Sequence, residues 1–112
     1  MNSDPESIPI LRFIAIDIHK HYVVVGGMNR QKEWLLRTRR VRMSRLPAWL
    51  QKNLSPTDAV VIESTSNAWD IYDLIHPLVA KAVVANPLKV GEIAGAKVKT
   101  DRLDVERLLT LL

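Results

Sequence analysis

The chain has 112 residues, a hydrophobic fraction of 47%, an aromatic fraction of 5% and a formal net charge of +4. This length suffices for one domain with a single core. The absence of cysteine excludes a disulfide framework and any metal site built from thiolates. No apolar run is long enough to cross a membrane. Residues 1–11 lack the basic and apolar regions of a signal peptide, so we expect a disordered leader, a single domain over residues 12–112 and a cytoplasmic protein.

The first predicted strand covers residues 13–17, FIAID, in which four apolar residues precede Asp17. A continuous apolar run is typical of a strand that is buried on both faces in the middle of a sheet. Open α/β sheets usually place their chemistry at the carboxyl edge. Asp17 is therefore a candidate site residue, although aspartate is also a common first residue of a turn.

Two further strands follow without room for a crossover helix. Residues 22–26, YVVVG, should return antiparallel to the first strand, and residues 27–30 form the next turn. Residues 32–41 predict a third strand, in which Arg37 and Arg39 would share one face through the two-residue period. Ser44 is a candidate cap for a short amphipathic helix that ends near residue 54, with Pro47 in its first turn.

The second half of the chain repeats the opening pattern. Residues 58–63, DAVVIE, form a buried run that ends in Glu63 and should lie parallel to the first strand and beside it. A helix over residues 67–79, a strand over residues 82–85 and a last helix from about residue 100 follow. This order predicts a mixed α/β sheet of five strands, order 3-2-1-4-5, with flanking helices, as in the ribonuclease-H-like (RuvC-like) fold.

The positive charge is concentrated in one segment. Residues 30–52 contain eight basic side chains against Glu33 alone, a net of +7, so the rest of the chain nets −3. Such clustering is typical of a protein that binds a polyanion, although a solvated strand face would also explain it. The three histidines, His19, His21 and His76, do not form a ligand cluster by their spacing, and we interpret them as ordinary polar residues.

Two acids near the end of the chain complete a candidate metal site. In KVKTDRLDVERLL, Asp101 and Asp104 are three residues apart and would project from the same face of a helix. Acids in a first helical turn can also serve only as caps. Together with Asp17 and Glu63, however, they would supply the oxygen ligands that two divalent cations need for phosphodiester chemistry.

These residues resemble a known family. Asp17 followed by Lys20, ESTSNAWDIY from Glu63, Asn86-Pro87 and KTDRLDVERL are together similar to the amino-terminal DEDD domain of transposases of the insertion sequence 110 family, which looks like the RuvC junction resolvase. The chain has Ser66 and Asn67 where the family often has a glycine. The family continues into a serine-bearing domain, so the chain looks like a truncated product or a single domain of a longer protein.

The resemblance implies a DNA transposase or recombinase whose catalytic, metal-binding acids are Asp17, Glu63, Asp101 and Asp104, with Mg²⁺ or Mn²⁺ as cofactor. It also implies DNA and a structured guide RNA as partners, and a homo-oligomer in the intact protein. The candidate nucleic-acid-binding residues are Lys20, Arg37, Arg39, Arg40, Arg42, Lys97, Lys99 and Arg102. The alternatives are a stand-alone RuvC-like junction nuclease and a non-catalytic nucleic-acid-binding module.

Overall fold

The computed structural model describes residues 9–64 and 68–85 and the two leucines Leu109 and Leu112. In chain order the elements are β1 (Arg12–Ile18), β2 (Tyr22–Met28), β3 (Trp34–Arg42), a 3₁₀ turn (Met43–Arg45), α1 (Leu46–Asn53), β4 (Asp58–Glu63), α2 (Trp69–Ile75), a second 3₁₀ turn (His76–Leu78) and β5 (Lys81–Ala85).

The five strands form one mixed sheet in the order β3-β2-β1-β4-β5. β1 is antiparallel to β2 and parallel to β4, and β4 is parallel to β5. The predicted strand order is therefore confirmed. The three strands with uninterrupted buried runs, β2, β1 and β4, occupy the three interior positions of the sheet, as continuous apolar runs require.

The two faces of the sheet have different coverings. On the first face, Ile14, Ile16, Val23, Val25, Val60 and Ile62 pack with Leu46 and Leu50 of α1 and with Ile71 and Ile75 of α2. On the second face, Ala15, Val24, Val61 and Ala85 are buried, and Leu109 and Leu112 pack against them. Because side chains alternate along a strand, Asp17 follows Ala15 and Glu63 follows Val61 onto the second face.

The turn between β2 and β3 lies later than the sequence predicts. β2 continues to Met28 rather than ending at residue 26, and β3 begins at Trp34 rather than at residue 32. The side-chain oxygen of Asn29 accepts hydrogen bonds from the backbone N–H groups of Gln31 and Glu33, at 3.0 and 2.9 Å. These bonds close the turn, in which Lys32 has a positive φ of 65°, so its backbone cannot join the strand.

β3 is irregular where it pairs with β2. Val25 lies opposite Arg39, whereas Gly27 lies opposite Leu36, so two residues of β3 face one residue of β2. An extra residue of this kind is a β-bulge, and it breaks the alternation of side chains. Arg37 and Arg39 are both exposed, with half-buried Thr38 between them, but the bulge includes this part of β3, so the two-residue period alone does not assign them to a common face.

Both helices are shorter than predicted. α1 is preceded by the 3₁₀ turn, so its N-cap is Arg45 rather than Ser44, and Pro47 lies in the first turn as predicted. α2 ends at Ile75, and Pro77 follows in the second 3₁₀ turn. Proline cannot donate the backbone hydrogen bond that a continuing helix needs, which ends α2 before residue 79.

Several predicted segments fall outside the described residues. They are most of the leader (residues 1–8), Ser66 and Asn67, the Asn86-Pro87 turn and the last predicted helix with Asp101 and Asp104. Within the part of the chain that the structure does describe, no helix is long and apolar enough to span a membrane.

Candidate functional site

Asp17 and Glu63 lie side by side at the carboxyl ends of β1 and β4. They are direct register partners on these two parallel strands, and neighbouring strands are about 4.8 Å apart. Both residues are buried, with exposed fractions of 6% and 4%. The sequence prediction that two strands bring these acids together is therefore confirmed. Two buried carboxylates at this spacing repel each other unless hydrogen bonds or a cation compensate them.

His19 contacts this acidic pair directly. It lies just after β1, and its ring Nε2 donates a hydrogen bond to Oδ2 of Asp17 at 3.1 Å. The side chain of His19 is 37% exposed, so the imidazole lies between the buried carboxylate and solvent. This contact was not predicted from the sequence, because the spacing of the three histidines was considered only as a possible metal-ligand cluster. The sequence feature that could have indicated this contact is the position of His19 two residues after Asp17, which places both residues at the same end of β1.

An aromatic ring connects His19 to the basic strand β3. The rings of His19 and Tyr22 are stacked, with centroids 4.7 Å apart and an interplanar angle of 14°. The guanidinium carbon of Arg40 lies 4.6 Å from the centroid of the same Tyr22 ring, which is cation–π distance. Arg40, Tyr22, His19 and Asp17 are thus joined by consecutive contacts.

The predicted basic residues of β3 separate onto different faces. Arg40 lies opposite Val24 and Arg42 lies opposite Tyr22, and Val24 is in the core of the second face. Arg40 and Arg42 therefore share the face of Asp17 and Glu63. Arg39 lies opposite Val25, whose side chain is in the core under the helices, so Arg39 belongs to the first face.

The other candidate phosphate-binding residues have less defined places. Arg37 lies in the bulged part of β3 and is exposed, and Lys20 is exposed in the turn between β1 and β2, close in sequence to Asp17. Lys97, Lys99 and Arg102 lie outside the described residues.

The described part of the proposed metal site consists of two carboxylates. Carboxylate oxygens are the ligands that Mg²⁺ and Mn²⁺ prefer, so Asp17 and Glu63 fit such an ion in donor type and lie opposite each other on neighbouring strands. Among the residues that the structure describes, no group of three or more His, Asp or Glu side chains is arranged to hold a metal ion. Asp101 and Asp104, the other two predicted ligands, lie outside the described residues.

A third buried acid, Asp58, has a structural role that the sequence analysis did not foresee. It is fully buried and lies opposite Arg12 at the other end of the same strand pair. Arg12 donates to both of its oxygens, Nε to Oδ1 at 2.9 Å and Nη2 to Oδ2 at 2.8 Å. Oδ2 also accepts the backbone N–H of Ser55 at 2.7 Å. This bidentate pair fixes the start of β4 against β1.

Comparison with known proteins gives a partial likeness to solved structures. No family model matches the sequence, and no curated protein matches it. A solved structure similar to this chain is Pelota from Archaeoglobus fulgidus, whose crystal structure is described as revealing inter-domain structural plasticity. The identity is 20% and the TM-score is 0.49, over 72% of this chain and 28% of the Pelota chain. The chain thus spans less than a third of the length of that protein.

Proposed function

We propose that this chain is the ribonuclease-H-like, RuvC-like catalytic domain of a DNA transposase or recombinase of the type found in the insertion sequence 110 family. It would act on phosphodiester bonds with Mg²⁺ or Mn²⁺. The observation that most supports this proposal is the register pairing of Asp17 and Glu63, both buried, at the ends of two central parallel strands. Like charges opposite each other on adjacent strands are destabilising, and a bound divalent cation would reverse that effect.

The residues have separate roles in this proposal. Asp17 and Glu63 would hold the metal, and the family resemblance adds Asp101 and Asp104 as further ligands. A bound metal pair activates a water molecule and stabilises the leaving oxygen of a phosphodiester. The protein's own contribution is to fix the carboxylates on rigid strand ends, so that little reorganisation accompanies the reaction.

The basic face of β3 supports DNA as the substrate. Arg40 and Arg42 lie on the same face as the acids, and both are exposed. Guanidinium groups bind phosphates irrespective of base sequence, so they would hold the DNA backbone while the acids act on it. The guide RNA and the homo-oligomer that the resemblance implies are part of the same proposal.

A non-catalytic nucleic-acid-binding module remains the second candidate, and the His19–Asp17 hydrogen bond favours it, because it gives Asp17 a partner within the protein. In that case the acids would only terminate strands, and the metal would have no effect. A stand-alone RuvC-like junction nuclease would use the same acids as the transposase.

Mn²⁺ binding separates the catalytic proposal from the binding module. Isothermal titration of the purified chain should give a dissociation constant for the wild type, and Asp17→Asn and Glu63→Gln should each weaken it by at least about 10-fold, because each removes one charged ligand. The matched control is Asp73→Asn, which removes the same charge from an exposed position on α2 and should change nothing. A wild type that does not bind Mn²⁺, or variants that all bind it equally, would contradict the metal site.

A DNA cleavage assay then distinguishes the two enzymatic hypotheses, the transposase domain and the junction nuclease. With Mn²⁺, a junction nuclease should cut branched DNA in preference to a linear duplex of the same sequence, whereas the transposase domain should show no such preference without its guide RNA. The Asp17→Asn variant is the control for contaminating nucleases, since it should lose any activity that belongs to this site.

A further inference from the structure

His19 is placed to control the orientation of Asp17. A carboxylate at the end of a strand can rotate about χ1 and χ2, and each rotation moves its oxygens relative to a neighbouring ligand. The hydrogen bond between Nε2 and Oδ2, 3.1 Å long, restricts these rotations of the Asp17 carboxylate.

The imidazole is itself held in place from two directions. Its ring stacks on Tyr22 at 4.7 Å, and the backbone N–H of His19 donates to the carbonyl oxygen of Tyr22 at 2.9 Å. Tyr22 in turn belongs to β2, where it lies opposite Arg42. His19 therefore occupies a defined position on the sheet, although it lies outside any strand.

We propose that His19, stacked on Tyr22, is a positioning residue that aims the Asp17 carboxylate at a divalent metal ion shared with Glu63. This inference rests on the proposed function, because it assumes that Asp17 binds metal. The inference adds His19 to the candidate site, which otherwise consists of the acids and of the basic residues of β3. It also links the site to Arg40, whose guanidinium lies 4.6 Å from the same Tyr22 ring.

The expected decrease in Mn²⁺ affinity can be taken from metal sites in other proteins, where similar hydrogen bonds orient the metal ligands. Carboxylates that bind metals are generally oriented by a hydrogen bond from a second residue, and loss of that residue typically lowers metal affinity by about 10- to 100-fold. The loss should appear in the dissociation constant for Mn²⁺ and should not require DNA or turnover.

Three variants separate the hydrogen bond from the ring stacking. His19→Phe keeps an aromatic ring against Tyr22 but has no N–H group, so Mn²⁺ affinity should fall by roughly 10- to 100-fold. His19→Gln keeps an amide N–H near the position of Nε2, so it should recover much of the affinity. His76→Phe is the matched control, because His76 stacks on Tyr72 with centroids 5.3 Å apart and is exposed after α2, so its replacement should leave Mn²⁺ affinity unchanged.

Isothermal titration with Mn²⁺ on the full 112-residue chain is the decisive measurement, with a thermal melt in EDTA for each variant. Weakened binding by His19→Phe, recovery by His19→Gln and unchanged melting temperatures would support the positioning role. If the wild type binds Mn²⁺, Asp17→Asn weakens that binding by at least about 10-fold, and His19→Phe binds as the wild type does, then this inference is overturned and the proposed function stands. A wild type that binds no Mn²⁺ overturns both.

Discussion

Replacing Glu63 with Gln should stabilise the metal-free protein and remove most of the stabilisation that Mn²⁺ gives to the wild type. Glu63 and Asp17 are direct partners on adjacent parallel strands and are 4% and 6% exposed. Strand spacing is about 4.8 Å, so in the absence of metal the two carboxylates repel each other over roughly this distance. Gln keeps the shape of Glu and removes the charge.

The magnitude follows from Coulomb's law. At an effective dielectric constant of about 20, two unit charges about 5 Å apart interact by roughly 3 kcal/mol. Solvent at the strand ends and hydrogen bonds to the carboxylates reduce this repulsion. We therefore expect the free energy of unfolding of the metal-free variant to rise by about 1–2 kcal/mol, which corresponds to an increase in Tm of at least about 4 °C for a domain of this size.

Mn²⁺ should stabilise the wild type much more than it stabilises Glu63→Gln. At a concentration about 100 times its dissociation constant, Mn²⁺ should stabilise the wild type by roughly 2.7 kcal/mol. Glu63→Gln should gain much less, because it lacks one of the charged ligands, so the order of stability reverses between EDTA and Mn²⁺. Thermal melts under both conditions measure this, and Asp73→Asn, at an exposed position on α2, should behave as the wild type. The reasoning would be refuted if metal-free Glu63→Gln had a lower Tm than the wild type and if Mn²⁺ did not change the Tm of the wild type.

Two further predictions concern other parts of the sheet. Arg12→Met should lower the free energy of unfolding, measured by urea denaturation, by about 3 kcal/mol. The reason is that the substitution leaves the fully buried Asp58 carboxylate without its bidentate partner. A decrease of less than about 1 kcal/mol would contradict the importance of that pair. Arg40→Gln should weaken DNA binding and flatten the salt dependence of log K by roughly 0.9. Arg39→Gln removes the same charge from the other face of β3 and should change the slope less, so equal effects would argue against DNA contact on the face of the acids.

The central strands could be predicted because their sequences fit only one environment. Residues 13–17 and 58–63 are apolar without interruption and end in an acid, which is typical of strands buried on both faces. The short connection after β1 allows only an antiparallel return, and the helix before β4 allows a parallel one. Together with the analogy to the order of elements in the ribonuclease-H-like fold, these constraints predicted the strand order β3-β2-β1-β4-β5 and the meeting of Asp17 with Glu63.

The features that the sequence did not reveal depend on contacts between distant residues or on irregular backbone. Nothing local to Asp58 indicates that Arg12, 46 residues away, binds both of its oxygens. The β-bulge that separates Arg39 from Arg37 arises from pairing with β2, which no periodicity within β3 could predict. The contact between His19 and Asp17 was not predicted for the same reason, because it depends on the Tyr22 ring of the next strand and on the exact end of β1.

The two ends of the β1–β4 pair differ in a way that bears on the function. At the start of the strands, Arg12 lies opposite Asp58 and donates to both of its oxygens. At their ends, the two acids Asp17 and Glu63 lie opposite each other, and like charges in such positions are destabilising unless other contacts compensate them. The same backbone register produces both pairs, so the register alone does not require a repulsive pair at the carboxyl end, where a neutral residue would be more stable. Two buried acids at the edge where α/β sheets bind their ligands are what the proposed cation site predicts, and the Mn²⁺ titration of Asp17→Asn and Glu63→Gln tests that proposal.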